Sequence, residues 1–572
     1  MNTPHSPLAA QAAATSNIPD ASGQNLFECD PYAQPLLRAY LPDDLYRHLL
    51  PHFTELGRLA GGTLDELASV ADKNPPTLSV RNRQGQDEAR IVKHPSYVEL
   101  ERMAYSRFGL AAMSHRPGVL GWNATMPPIV KYALTYLFVQ AEFGLCCPVS
   151  MTDSLARTLR KYGDPAVVKQ VLPQVAALDF DELRQGAMFM TEQAAGSDVS
   201  AIQTLAEEHA DGQWRLHGDK WFCSNPDAGF AMVLARSEDA PGLAGVSLFL
   251  LPRDLPDGRH NHYRILRVKD KLGTRSMASG EIRLEGAVAW LIGERGRGFQ
   301  QMADMINNSR LSNGMRAAGL MRRSLSEAMY FVHNRQAFGK RLVDMPLMQR
   351  QLLKMQVATE QARSVMFQTA TQLDKADHGD SQAKTLVRIL TPLIKFRACR
   401  DARKVTGDGM EVRGGCGYIE EWVEPRLLRD AHLGSIWEGT SNIVALDVMR
   451  AIRRNQCLPA LRAHVEQLLA QGAPCPAALA DMQQASLEKT WALAEHAAAR
   501  ENSPLARQAA SALYNALAMA TMRWEAGQAG LASRNGLADL VLVHKLSLRD
   551  PCALSEYEAD TDSLLQAAYT PA

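Results

Sequence analysis

The chain has 572 residues, of which 46% are apolar and 22% charged, enough for three or four domains with large cores. Lys+Arg and Asp+Glu balance at 62 each, so net charge gives no push toward nucleic acid or a membrane surface. Nine cysteines without a C-x-x-C spacing, Cys146 and Cys147 being adjacent, argue against a disulfide framework or a zinc site and point to a reduced, cytoplasmic setting.

Residues 1–25 are rich in Ala, Ser, Pro and Asn and hold no Lys or Arg, which predicts a disordered tail rather than a secretory or Arg-rich targeting segment. From 26 to 185 apolar residues recur at three and four, as in Leu36, Leu37, Tyr40, Leu41 and then Leu45, Leu49, Leu50. This predicts an all-helical domain, interrupted at Pro75-Pro76, Pro117 and Pro127-Pro128. The most apolar run, Tyr132 to Val149, is broken by Gln140, Glu142 and Gly144; it reads as one buried helix, not a membrane span.

At 186 the pattern changes to short runs: Ala187–Met190, Trp214–Gly218, Lys220–Cys223, Ala231–Ala235, Val246–Leu251, Tyr263–Val268 and Glu281–Leu284. Turn residues separate them and no long helix intervenes, which predicts a small antiparallel β domain over 186–296 and argues against a parallel dinucleotide-binding sheet. Helical periodicity resumes at Gly298. Stretches over 301–333, 345–374 and 383–407 predict a bundle domain, 297–455, with Pro392 as the one break. An Ala/Leu-rich helical extension, 456–572, follows a linker expected around Pro459, Pro474 and Pro476. The fold class is therefore α+β and multidomain: helical N-terminal domain, small antiparallel β domain, C-terminal helical bundle, helical extension.

Four stretches carry candidate chemistry. In Ile436-Trp437-Glu438-Gly439-Thr440-Ser441-Asn442 a carboxylate sits between Trp and Gly just before a helical pattern. Apolar neighbours resist ionisation and suit a proton-abstracting base; on this stretch alone, a Glu favoured by a helix N-terminus is the plainer reading. Met190-Thr191-Glu192-Gln193-Ala194-Ala195-Gly196-Ser197-Asp198-Val199 offers small residues that let backbone approach a flat or phosphorylated ligand, or else a turn ending in an Asp cap. Trp221-Phe222-Cys223-Ser224 sets an aromatic beside a thiol and a hydroxyl, with a core Trp as the commoner reading. Gly414-Gly415-Cys416-Gly417-Tyr418 marks a tight backbone passage.

In their order and spacing these motifs resemble the acyl-CoA dehydrogenase family over roughly residues 140–455. The resemblance also rests on Asp270-Lys271-Leu272-Gly273-Thr274-Arg275-Ser276, Arg310, Arg335 to Lys340, Gln349 and Arg429-Asp430. Within the family, His217 to Phe222, Leu255-Pro256-Asp257-Gly258, Arg275 to Ser279 and the C-terminal extension are similar to the AidB branch. Met277-Ala278-Ser279 departs from the wider family's Ser-Asp-Thr, and Glu411 stands where Gln is usual.

The resemblance implies FAD, held between subunits of a homo-oligomer, usually a tetramer. It places the flavin against Met190, Thr191, Gly196, Ser197, Asp198, Trp221 and either Cys223 or Ser224, with Ile436, Trp437, Thr440 and Asn442 closing over it. Arg335, Phe338, Gln349, Glu411, Gly414 and Gly415 would meet the adenine half of a neighbouring subunit's FAD. Ser197, Arg275, Arg310 and Gly439 would contact an acyl-CoA, and Glu438 would be the base. Some relatives carry the base in the long helix beside its Arg; here Ser309 precedes Arg310, leaving no carboxylate there. No metal site is implied. An electron-transfer flavoprotein is the implied acceptor.

A DNA-associated flavoprotein is the second reading, and it needs a basic surface. Residues 451–572 hold ten Lys and Arg against twelve Asp and Glu. The Lys395, Arg397, Arg400, Arg403, Lys404 face and the Arg322-Arg323 pair are locally basic, and each is read as a solvated or intersubunit face. A partner-binding helical protein with an inactive flavin fold ranks third.

Overall fold

A computed structural model describes residues 18–210, 212–548, 552 and 560–570. Of the predicted tail, residues 1–17 lie outside the described residues, but 18–25 pack against the body. Gly23 N–H donates to the Gly61 carbonyl at 2.7 Å and Arg413 to the Pro19 carbonyl at 3.0 Å. Gly57 and Gly61 permit this approach, since a Cβ there would meet the Asn25 side chain at 2.2 Å and the Gln24 carbonyl at 1.8 Å.

The N-terminal region runs α1 Ala33–Tyr40, α2 Asp43–Gly61, α3 Thr63–Lys73, a hairpin of β1 Thr77–Arg81 and β2 Asp87–Val92, then α4 Pro95–Arg102, α5 Pro128–Phe138, α6 Cys146–Tyr162 and α7 Pro165–Val175. The hairpin corrects the all-helical expectation. Its strands are largely exposed and polar, so no buried stripe marks them in the sequence. The apolar run from Tyr132 is likewise two helices, α5 and α6, joined by a buried turn over 139–145.

The β domain contains β3 Gly186–Phe189, β4 Leu205–Glu208, β5 Trp214–Ser224, β6 Phe230–Arg236, β7 Val246–Pro252, β8 Tyr263–Val268 and β9 Ser279–Ile292. The strand order β3-β6-β4-β5-β9-β7 closes on itself through a β6–β7 pairing, with β8 beside β9. Most pairings are antiparallel as expected, but β6 pairs in parallel with β3 and, at one position, with β4. β6 and β7 are buried along nearly their whole length, which fits their unbroken apolar runs.

Three long helices form the bundle: α8 Gly298–Asn334, α9 Pro346–Asp377 and α10 Ser381–Arg413. Pro392 does not break α10; buried Leu390, Leu393 and Ile394 hold the helix across it. Then come α11 Glu424–Gly434, α12 Ser441–Asn455 and the extension: α13 Cys457–Gln471, α14 Ala480–Ala498, α15 Ala506–Ala529, α16 Ala532–Val541 and α17 Thr561–Gln566. Pro459 lies in the first turn of α13, where its missing N–H costs nothing, so the linker is 472–479 alone.

The extension is not peripheral. Arg534 on α16 pairs with Glu360 on α9 at 2.6 Å and with Glu525 on α15, and all three are fully buried. Arg363 joins Glu360 to Asp30 at the N-terminus. Arg322 and Arg323, expected on a surface, are buried in the same interior: Arg323 pairs with Asp65 and Glu327, and Arg322 lies 3.7 Å from Asp30. No helix among the described residues is long and apolar enough to cross a membrane.

Candidate active site

The α11–α12 loop, 435–440, holds two consecutive left-handed residues, Glu438 (φ 49°) and Gly439 (φ 96°). A non-glycine residue there is uncommon and persists only where its surroundings enforce it. Two buried cations do so. Arg310 Nε donates to the Glu438 carbonyl at 3.3 Å, and Lys395 Nζ donates to the Gly439 carbonyl. Lys395, grouped with a surface basic face from sequence, is 1% exposed. Arg310 is itself fixed by Asp447 at 2.6 Å, which also takes Arg388 at 2.8 Å.

This clamp turns the Glu438 side chain toward α8. Ser309 Oγ donates to Oε1 at 2.7 Å and Asn313 Nδ2 to Oε2 at 2.8 Å. Ser309 and Asn313 are four apart, so both face the same way. The position without a carboxylate thus carries a hydroxyl that supports one. Thr440 is the residue preceding α12 and its side chain makes no capping bond; the Glu438 carboxylate is spent on α8 instead. The apolar surroundings expected for Glu438 are corrected to a pair of neutral polar donors. Trp437 turns the other way, stacking on Phe143 with ring centres 6.0 Å apart and lying under the Arg316 guanidinium at 4.7 Å.

On the β domain, the β5–β9 register passes from Lys220↔Ile282 to Cys223↔Gly280, so β5 carries one extra residue. The bulge leaves Lys220 and Cys223 buried, with Trp221 half-buried and Phe222 59% exposed on the open side. Cys223 therefore belongs to the core, where burial pushes its thiol well above the usual range; of the two candidates, half-buried Ser224 is the hydroxyl on offer. Trp221 N–H donates to the Thr191 carbonyl at 2.9 Å, tying the bulge to the 190–199 loop. Lys269 lies 3.4 Å from the Trp221 ring centre. Glu192 anchors that loop by accepting from Lys220 at 2.6 Å and from Gln203 N–H at 2.6 Å. Asp198 caps Ser200 N–H at 3.1 Å, so what the loop presents is exposed Ser197 and the open backbone of Gly196, which a Cβ would leave unobstructed. Met190 and Thr191 are half-buried beside them. An aromatic wall, a hydroxyl and an unobstructed backbone loop fit a flat, phosphate-bearing cofactor.

The Asp270–Ser279 loop and Arg429-Asp430 prove to be one contact. Thr274 N–H donates to Asp430 Oδ1 at 2.6 Å, and a Cβ on Gly273 would stand 2.6 Å from the Arg429 carbonyl. Ser276 Oγ donates to Glu142 at 2.5 Å, and Arg275 is half-buried between these ties. Burial raises the Asp430 pKa to about 7. The folded protein then holds this proton more tightly than the unfolded chain. The associated stability is full below about pH 4 and is lost as pH rises through about 7. Asp430→Asn, which keeps an acceptor for Thr274, is expected to raise the urea midpoint relative to the parent at pH 8 and not at pH 4.

Arg335, Phe338, Gln349, Glu411, Gly414 and Gly415 gather at the far end of the bundle, Arg335 about 39 Å along α8 from Ser309. Phe338 is 95% exposed, and no atom would obstruct a Cβ on Gly414 or Gly415. Gln349 donates to Asp562 of the extension at 2.7 Å. Ile436, Thr440 and Asn442 are exposed at the near end, the last accepting from Arg507 at 3.4 Å. One chain thus carries two separated groups of these residues. Sequence reading missed Asn313, Arg316, Phe143 and the Lys395 clamp. Polar residues at 309, 313 and 316 along one face of an otherwise buried helix were the available signal.

Three family descriptions match in succession: the AidB N-terminal domain over 17–182, the acyl-CoA dehydrogenase middle domain over 187–287, and the acyl-CoA dehydrogenase C-terminal domain over 296–453. Acyl-CoA dehydrogenase family member 11 of Caenorhabditis elegans is 31% identical over 461 residues, 78% of this chain and 73% of its own. Putative acyl-CoA dehydrogenase AidB of Escherichia coli (strain K12) is 34% identical over 400 residues, 68% of this chain and 71% of its own. The solved structure of Caenorhabditis elegans ACDH-11 in complex with C11-CoA superposes with a TM-score of 0.84 at 26% identity, covering 93% of both chains. The chain belongs to the acyl-CoA dehydrogenase family, in its AidB-like branch, and is an oxidoreductase whose cofactor is FAD.

Proposed function

We propose that this protein introduces an α,β double bond into an acyl-CoA thioester, with Glu438 as the base. The observation that carries the reading is the Glu438 carboxylate itself. It is held on an enforced left-handed loop and met by two neutral donors, and among the described residues it forms no ion pair. Held by two neutral donors, the carboxylate is oriented to take the weakly acidic proton α to a thioester carbonyl.

In the proposed reaction the α-proton passes to a Glu438 carboxylate oxygen and the C–H pair becomes the new double bond. Bound FAD supplies the acceptor for the hydride leaving the β-carbon. The 190–199 loop, Trp221, Ser224 and 436–442 would hold its flavin, and Arg335, Phe338, Gln349 and 411–415 the adenine half from a neighbouring subunit. Ser309 and Asn313 orient the carboxylate before substrate arrives and release one lone pair when it turns to the α-carbon. Arg310 and Lys395 keep the loop from following that movement. The backbone N–H of Glu438 is the donor for the developing enolate oxygen.

The assembly in this proposal is a homo-oligomer, which would cover Phe338, Leu347 and Tyr418, exposed at 95%, 84% and 79%. Its setting is the cytoplasm and its electron acceptor an electron-transfer flavoprotein. DNA association stays second: Arg397 and Lys404 pair with Asp401 and Asp408, and Arg322, Arg323 and Lys395 are buried. Anaerobic titration of the purified yellow protein with acyl-CoAs of graded length tests the reading. Bleaching of the flavin band by at least one thioester is expected; no bleaching by any of them contradicts it.

A further inference from the structure

Among the described residues six arginines are fully buried. Arg322, Arg323, Arg363, Arg523 and Arg534 each face carboxylates. Arg316, at 0% exposed, faces none within ion-pairing distance among the described residues. Its Nε donates to the Ser312 carbonyl at 3.3 Å and its Nη2 to Asn313 Oδ1 at 2.9 Å. The guanidinium lies over the Trp437 ring, and both Arg316 Nη1 and Trp437 Nε1 are buried without an acceptor. Two neighbouring side chains thus hold buried N–H groups without an acceptor, and one of them is a cation held against the Trp437 and Phe143 rings beside the Cys147 thiol. Burying such donors costs free energy until an acceptor reaches them, and a buried cation asks for an anion.

We infer that the acyl group bound here is short and ends in a carboxylate, which takes Arg316 Nη1 and Trp437 Nε1 while the α-carbon lies against Glu438. The substrate class is then the mono-CoA thioester of a dicarboxylic acid, an inference that rests on Glu438 being the base. Length follows from Asn313, whose amide touches Glu438 Oε2 with one end and Arg316 Nη2 with the other. The two groups are therefore within about 8 Å of each other. Allowing about 3 Å for approach at the α-carbon and a charge-assisted hydrogen bond at the carboxylate leaves two to four carbon–carbon bonds, an acid of about four to six carbons.

The test is equilibrium binding of adipyl-CoA, hexanoyl-CoA and undecanoyl-CoA to FAD-loaded protein carrying Glu438→Gln, so that affinity is read without turnover. Adipyl-CoA is expected to bind about 100-fold more tightly than hexanoyl-CoA, since only it supplies the buried counter-charge. Adding Arg316→Met should erase that ratio, Arg316→Lys should keep part of it, and Trp437→Phe should reduce it. Hexanoyl-CoA or undecanoyl-CoA binding as tightly as adipyl-CoA overturns the inference. So does a ratio unmoved by Arg316→Met in protein that retains its FAD. Failure of the base assignment shows separately, as α-proton exchange that survives Glu438→Gln.

Discussion

Protein carrying Glu438→Gln is expected to stay yellow and folded while acyl-CoA reduces its flavin at least about 1,000-fold more slowly than the parent. The fold survives because the amide can satisfy both donors on α8. With Gln Oε1 toward Asn313 Nδ2, its Nε2 faces the Ser309 hydroxyl, which rotates from donor to acceptor. The carbonyl clamps from Arg310 and Lys395 touch only backbone and are unchanged. What is lost is the lone pair that receives a proton. Rapid-mixing absorbance of the flavin band measures the rate. Unfolding midpoint and flavin content serve as controls, both expected to stay near the parent's. A mutant that bleaches at the parent's rate would move the base elsewhere.

The second large effect concerns stability. Arg534→Met should lower unfolding free energy by about 3–5 kcal/mol, because it leaves the Glu525 carboxylate without a cation and Glu360 with Arg363 as its one close partner, where neither sees solvent. Arg534 also donates to Ser364 at 2.5 Å, so α16 loses its polar tie to α9 at the same stroke. Urea denaturation followed by circular dichroism should show an earlier transition, with the extension and the bundle no longer unfolding together. Adding Glu525→Gln should recover part of the loss, since the burden is the uncompensated charge rather than the missing side chain. An unchanged midpoint in the single mutant would mean that the extension folds without this network.

Much of this architecture was readable from the sequence. The three long helices of the bundle announce themselves by apolar spacing, and α8 begins where the pattern resumes at Gly298. The motif order around Glu438, the 190–199 loop and Arg429-Asp430 foretold a flavin enzyme. The contact between Gly273-Thr274 and Asp430 explains why two of those motifs occur together, although 156 residues separate Thr274 from its acceptor. Other features were hidden for physical reasons. The 77–92 hairpin exposes most of its residues, so it has no apolar alternation to detect. The β5 bulge turns Trp221 and Phe222 outward and Cys223 inward, and a single inserted residue leaves no mark in composition. Arg322-Arg323 looks like a solvated pair until Asp30, Asp65, Glu327 and Glu360 are brought around it by folding. The surroundings of Glu438 were misjudged in the same way, since Ser309 and Asn313 come from a helix 125 residues or more earlier in the chain.

As the proposed base, Glu438 takes the α-proton of a thioester. The most direct test incubates FAD-loaded protein in D₂O with a 3-thiaacyl-CoA, whose β-position is sulfur and has no hydride to give, and follows the α-hydrogens by NMR. Steady α-hydrogen exchange is expected with the parent protein and none above background with Glu438→Gln. Equal exchange by the two proteins would contradict it.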